Sequence, residues 1–81
     1  MNDKTSIFSL KDLRNGLLLN TLDEIIESLE NNGYNATSQL VGYLATGDLT
    51  YITSHDKSRQ KIKKYDRVEI LAALLKYYRG E

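Results

Sequence analysis

The chain has no cysteine, no proline and no tryptophan, and only one histidine, one methionine and one phenylalanine in 81 residues. Without cysteine there is no disulfide framework, no thiolate nucleophile and no sulfur ligand for zinc, and the usage fits a reducing compartment. Without proline nothing stiffens the unfolded chain. No apolar run approaches membrane-spanning length, and MNDKTSIFSL lacks a basic stretch followed by a long apolar one, so no signal peptide is read there. The expectation is a soluble, cytoplasmic protein with no membrane association. Net charge is also missing: eleven acids balance eleven bases, against the basic excess usual in nucleic-acid-binding domains. A chain this short makes one domain and leaves much apolar surface wet, so self-association is the expected source of further burial.

The charge that is present is uneven. Residues 1–35 hold six acids and three bases, whereas residues 57–67 hold six bases and one acid. Between them lies Gly33 to Ile52, GYNATSQLVGYLATGDLTYI, with three of the five glycines, three of the six tyrosines and Asp48 as its only ionised side chain. So few charges over twenty residues mark a buried centre, in the protomer or at a subunit interface.

In chain order, residues 1–9 read as a polar, flexible tail carrying Thr5, and residues 10–81 as a single helical domain. Leu10, Leu13, Leu17, Leu18, Leu22, Ile25, Ile26 and Leu29 recur at intervals of three and four, the mark of one buried helical stripe. Gly16 weakens its early part, and Asn20-Thr21 offers a second N-cap. Gly33 suits the left-handed position that ends this helix, Asn35 caps a second helix through Thr46, and Gly47 closes it. Gly42, inside that second helix, costs roughly 1 kcal/mol against alanine and suggests the close approach of another backbone. Leu49 to Ile52 reads as a short apolar linker. Thr53-Ser54 then caps a third helix to about Tyr65, in which Arg59, Lys63 and Arg67, four residues apart, would share one face while Ile62 points to the core. Lys57, Lys61 and Lys64 widen that basic surface. Asp66 and Glu69 fit a capping box for a last helix whose apolar face is Val68, Leu71, Ala72, Leu74, Leu75 and Tyr78, ended by Gly80. The fold class is therefore all-α, a small domain of four to five helices.

Catalytic and cofactor chemistry is sparse. His55 stands beside Asp56 with no nucleophile motif near it, and reads as a capping or surface residue. Asp23, Glu24, Glu27 and Glu30 have no histidine or cysteine among them, so no metal site is expected; they read as a solvated face. No glycine loop can cradle a phosphate, and no cofactor is implied. The six tyrosines, spaced among leucines, read as half-buried packing residues rather than stacking platforms for RNA. An enzyme is not expected.

GYNATSQLVGYLATGDLTYI, followed by SRQKIKKYDRVEI and KYYRG, resembles the IreB/ReoM family of small proteins from low-GC Gram-positive bacteria. The likeness runs from Gly33 to about Tyr78, and Thr5-x-x-Phe8 is similar to the family's N-terminal threonine motif. The resemblance implies an all-helical homodimer, intertwined or face to face, and a non-enzymatic regulator. It implies a PASTA-domain serine/threonine kinase, with its phosphatase, acting on Thr5. Unphosphorylated, such a protein promotes ClpCP-dependent degradation of the UDP-N-acetylglucosamine enolpyruvyl transferase that commits precursors to peptidoglycan; phosphorylation relieves that restraint and favours cephalosporin tolerance. By position, the family's partner-binding arginines correspond to Arg59, Lys63 and Arg67. Ala36 and Leu49 stand where the family usually has proline, Ser38 where it has asparagine, and Ser54 where some members have arginine. Lys63 replaces arginine, keeping charge without bidentate geometry, and Asp66 and Val68 replace glutamate and aspartate. The rival readings are a helix-turn-helix-like nucleic-acid module using residues 54–67, and a structural dimer without a switch.

Overall fold

The computed structural model describes residues 3–81, with side chains from Leu10 onward. Four α-helices and a 3₁₀ turn follow in order: α1 (Asp3–Asn31), α2 (Ala36–Thr46), the 3₁₀ turn (Leu49–Tyr51), α3 (Ser58–Ile62) and α4 (Arg67–Arg79). There is no strand among the described residues, and the domain is all-α.

α1 is one continuous helix that takes in positions 3–9, suggested by the sequence as a tail, and passes through Gly16 and Asn20 without a break. Thr21 does not start a new helix. Its hydroxyl donates back to the Leu17 carbonyl at 2.9 Å, as a threonine inside a helix does. Twenty-nine residues at helical rise make a rod of about 44 Å, which sets the 47 Å long axis of the molecule. Only the second half of the rod is packed all along its inner face: Leu18, Leu22, Ile25 and Leu29 are buried, while Leu10, Leu13 and Leu17 are 67, 61 and 54% exposed. The expected stripe is thus correct from Leu18 onward and overextended before it.

The junction after α1 closes through local hydrogen bonds. Gly33, at φ +83°, lets its own N–H donate to Glu30 O (3.0 Å) and that of Tyr34 to Leu29 O (2.9 Å), satisfying carbonyls that the helix end would orphan. Asn35 then accepts from the Ser38 N–H at 2.9 Å and starts α2. Ala36 and Tyr43 from α2 join Ile52, Ile62 from α3, and Ile70 and Ala73 from α4 around the α1 stripe. Each full-length core side chain here carries a cavity cost, so Ile25→Ala, at a fully buried site, is expected to lower stability by about 2–5 kcal/mol in urea melts.

Two sequence-based expectations are corrected in the second half of the chain. The third helix is five residues long and does not reach Tyr65. Asp56 and Lys57 take left-handed φ values of 48° and 60°, and the Asp56 carboxylate accepts from Ser28 Oγ on α1 at 2.6 Å, so the chain before Ser58 is bent rather than helical. The second concerns α4, which starts at Arg67 and ends at Gly80 (φ +77°) as its caps suggested. It buries Ile70 and Ala73, whereas Val68, Leu75 and Tyr78 from the face expected to be core are 78, 60 and 86% exposed. The helix is apolar over most of its circumference, and the other helices cover only one side of it.

The Asp66–Glu69 capping box is likewise incomplete, because Asp66 makes no side-chain cap bond. Glu69 instead takes both hydrogen bonds of a fork from Arg14 on α1, Nη2 to Oε1 at 3.0 Å and Nε to Oε2, and the guanidinium lies 5.0 Å from the centre of the Tyr65 ring. The bonds from Arg14 hold the Glu69 carboxyl below its ordinary value, with its charge and the Asp66 backbone N–H adding to the effect. A depressed carboxylate contributes stability above its ordinary pKa and loses it as pH falls through the lowered one. The unfolding midpoint of wild type should therefore exceed that of Glu69→Gln at neutral pH, and the gap should close on acidification below the usual carboxylate range.

Candidate functional site

The low-charge segment Gly33–Ile52 folds into a knot held by local hydrogen bonds, but within the protomer it is not the buried centre expected: only Ala36, Tyr43 and Ile52 in it are buried, and Val41 and Tyr51 are exposed. Gly47, at φ +79°, donates to the Tyr43 carbonyl at 2.7 Å and ends α2. Thr46 Oγ1 donates to Gly42 O (2.7 Å) and accepts from the Asp48 N–H (3.1 Å). Asp48 Oδ1 accepts from both the N–H (2.9 Å) and the hydroxyl (2.7 Å) of Thr50, capping the 3₁₀ turn. Those Thr50 bonds hold the Asp48 carboxyl below its ordinary value, and the Arg59 charge adds a smaller push the same way. Gln39 closes the knot: its Nε2 donates to Thr53 Oγ1 and its Oε1 accepts from the Thr53 N–H, both at 2.9 Å.

Gly42 is close to a ring and not to another backbone. A Cβ at Gly42 would sit 2.3 Å from Tyr51 Cδ1 and 2.8 Å from Tyr51 Cγ. The expectation of a backbone approach is replaced by an aromatic side chain laid over the helix.

Arg59, Lys63 and Arg67 do not lie on one helix. Arg59 belongs to α3, Lys63 follows its last residue, and Arg67 opens α4. The two arginines nevertheless converge on the knot. Arg59 Nε donates to the Ile52 carbonyl at 2.7 Å, and Arg67 Nη1 donates to the Leu44 carbonyl at 3.1 Å with its guanidinium set against Gly47. Arg67 so caps the negative end of α2. Lys63 is exposed, and its backbone N–H donates to the Arg59 carbonyl at 3.2 Å as the C-cap of α3. Arg59→Ala should therefore cost about 1.5–3 kcal/mol in denaturant melts, because a charged donor leaves a partly buried carbonyl, while Lys63→Ala stays within about 0.5 kcal/mol.

The broken chain also bears on the helix-turn-helix reading, since residues 54–67 comprise a bend, five residues of α3, a turn and the first residue of α4. His55 is half-buried, its ring 6.0 Å from that of Tyr34 and its carbonyl accepting from the buried Ser58 hydroxyl at 2.6 Å. Among the described residues, no group of three or more His, Cys, Asp or Glu side chains is placed to hold a metal ion. No helix is long and apolar enough to cross a membrane, again among the described residues. Of the tyrosines, Tyr43 is buried and Tyr65 packs against the core, but Tyr77 and Tyr78 are 72 and 86% exposed and do not serve as packing residues within the protomer. The side chain of Thr5 lies outside the described residues.

Sequence reasoning missed Gln39 and the Arg14–Glu69 fork. Gln39 stands between Ser38 and Leu40, and its partner Thr53 is 14 residues on, so nothing local marked it. The fork joins positions 55 residues apart and leaves no local trace.

The fold and the knot define a small all-helical protein whose most distinctive segment is a hydrogen-bonded knot with an exposed outer side. The family model described as IreB regulatory phosphoprotein matches residues 3–79, nearly the whole chain. The chain belongs to the IreB family of regulatory phosphoproteins.

Proposed function

We propose that the protein is a non-enzymatic, cytoplasmic switch in the control of peptidoglycan synthesis, set by phosphorylation of Thr5. The observation that carries this reading is the family match from residue 3 to residue 79, which spans Thr5 as well as the Gly33–Ile52 knot. In the unphosphorylated form the protein promotes ClpCP-dependent degradation of the UDP-N-acetylglucosamine enolpyruvyl transferase. A PASTA-domain kinase and its phosphatase set the balance. Position 5 falls in the first turn of α1, where the positive end of the helix dipole favours a phosphate. The added charge of about −1.5 to −2 then alters how an acidic partner meets the basic surface around Lys63, without refolding the core.

The active form in this reading is a homodimer. What supports it is the uncovered side of α4, where Val68, Leu71, Leu75 and Tyr78 are all exposed in the single chain and form an apolar face that a second copy would cover.

The test is phosphorylation by the cognate kinase, followed by site mapping and a degradation assay with the purified transferase and protease. Modification at Thr5, with slower transferase loss, is the expected result. Phosphate confined to other residues would remove the assignment, and unchanged transferase turnover after full Thr5 modification would remove the switch.

A further inference from the structure

The chain contains two Asn-Gly pairs, Asn15-Gly16 and Asn32-Gly33, and the fold treats them very differently. An asparagine followed by glycine is the pair most open to intramolecular attack, because no side chain shields the following backbone nitrogen. The Gly33 nitrogen would bond to Cγ of Asn32 and the Cγ–Nδ2 bond would break. Ammonia leaves with the proton that the backbone nitrogen gives up, and a five-membered succinimide remains. Water opens that ring at either carbonyl, to aspartate or to isoaspartate, with no oxidant or reductant involved.

Asn15-Gly16 lies in the body of α1, where each backbone N–H is held by the carbonyl four residues before it, and Asn15 is half-buried beside Ala72 and Ala73 of α4. Reaching a cyclic geometry there means unwinding the helix where it packs. Asn32-Gly33 is the turn just beyond the last helical residue. Asn32 is exposed and Gly33 has nothing within 4 Å of the place a Cβ would occupy; the pair is held by terminal bonds, Asn32 N–H to Leu29 O at 3.2 Å and Gly33 N–H to Glu30 O at 3.0 Å, and by the Asn32 side-chain amide on the Ser28 carbonyl at the same helix end. Such end bonds open far more often than those in a helix interior.

We propose that Asn32 is a site of spontaneous deamidation, a covalent mark that accumulates with the age of the molecule. Its consequence follows from what the amide does now. Asn32 Nδ2 donates to the Ser28 carbonyl at 2.7 Å, which a carboxylate cannot do. The new anion also sits at the negative end of the α1 dipole, beside the Ser28 carbonyl. The isoaspartyl product goes further, because its extra main-chain methylene displaces the Tyr34 N–H to Leu29 O closure that delivers the chain to the Asn35 cap of α2. This inference stands independently of the phosphorylation switch.

The experiment is to age the full-length protein in mildly alkaline buffer and map aspartate and isoaspartate by peptide mass and by isoaspartyl methyltransferase labelling. A parallel sample is aged in strong denaturant. Native protein is expected to modify position 32 at least about tenfold faster than position 15, while the denatured sample modifies both at similar rates. Asn32→Gln should remove the native signal, and Asn32→Asp should lower the unfolding midpoint. Equal native rates at the two positions would overturn the proposal. So would a native position 32 that remains intact while the denatured chain is modified there.

Discussion

Gly42→Ala destabilises the protein by about 1–3 kcal/mol, although the same change inside an ordinary helix stabilises it by about 1 kcal/mol. The sign reverses because of one ring. An alanine methyl at position 42 would lie 2.8 Å from Tyr51 Cγ, an atom one bond from the Tyr51 Cβ that cannot move without rotating the whole ring away. Tyr51 ends the 3₁₀ turn, and the adjoining Ile52 is fully buried and supplies the carbonyl that Arg59 holds, so a shift of that backbone is transmitted into the core and into α3. A double-mutant cycle in urea separates the two contributions. In a Tyr51→Ala background the clash is gone and Gly42→Ala should stabilise by about 1 kcal/mol, leaving a coupling of roughly 2–4 kcal/mol between the positions. If Gly42→Ala stabilises the wild type as well, the ring does not dictate the glycine.

That glycine shows which parts of the fold can be read locally. Gly33, Asn35, Gly47 and Gly80 all do what their residue types suggest, because a helix cap involves atoms only a few positions apart. Ile62 also points inward as its spacing required. The late start of α3 was hidden because the bend before Ser58 is tied to Ser28, 28 residues away from Asp56. The two arginines were grouped by helical spacing, and they do act on a common segment, but through carbonyls of the knot rather than by sharing a face. Gly42 was noticed as anomalous and assigned the wrong neighbour, since a missing Cβ says that something is close without saying what. On α4 the pattern was ambiguous in itself: apolar residues surround most of the helix, and periodicity cannot choose which side a short chain will cover.

The uncovered side of α4 carries the second large effect. Val68→Glu combined with Leu75→Glu should leave the protomer folded and weaken self-association by about 100-fold or more. Both side chains are already mostly in water within the protomer, 78 and 60% exposed, so the charges cost little there. In a dimer formed through this face they would be buried without partners, next to Leu71 and Tyr78, which are also exposed in the single chain. Sedimentation equilibrium measures the association, and far-UV circular dichroism confirms that helix content is kept. Gln60→Glu, an exposed position on α3, adds charge elsewhere and should leave association unchanged. A double variant that remains fully dimeric would move the interface to another surface, with the exposed Leu10, Leu13 and Leu17 of α1 as the next apolar set to substitute. If phosphorylation of Thr5 changes what the dimer binds rather than whether it forms, the added charge acts outside this contact. Phosphorylated and unphosphorylated protein should then show the same dissociation constant for the dimer.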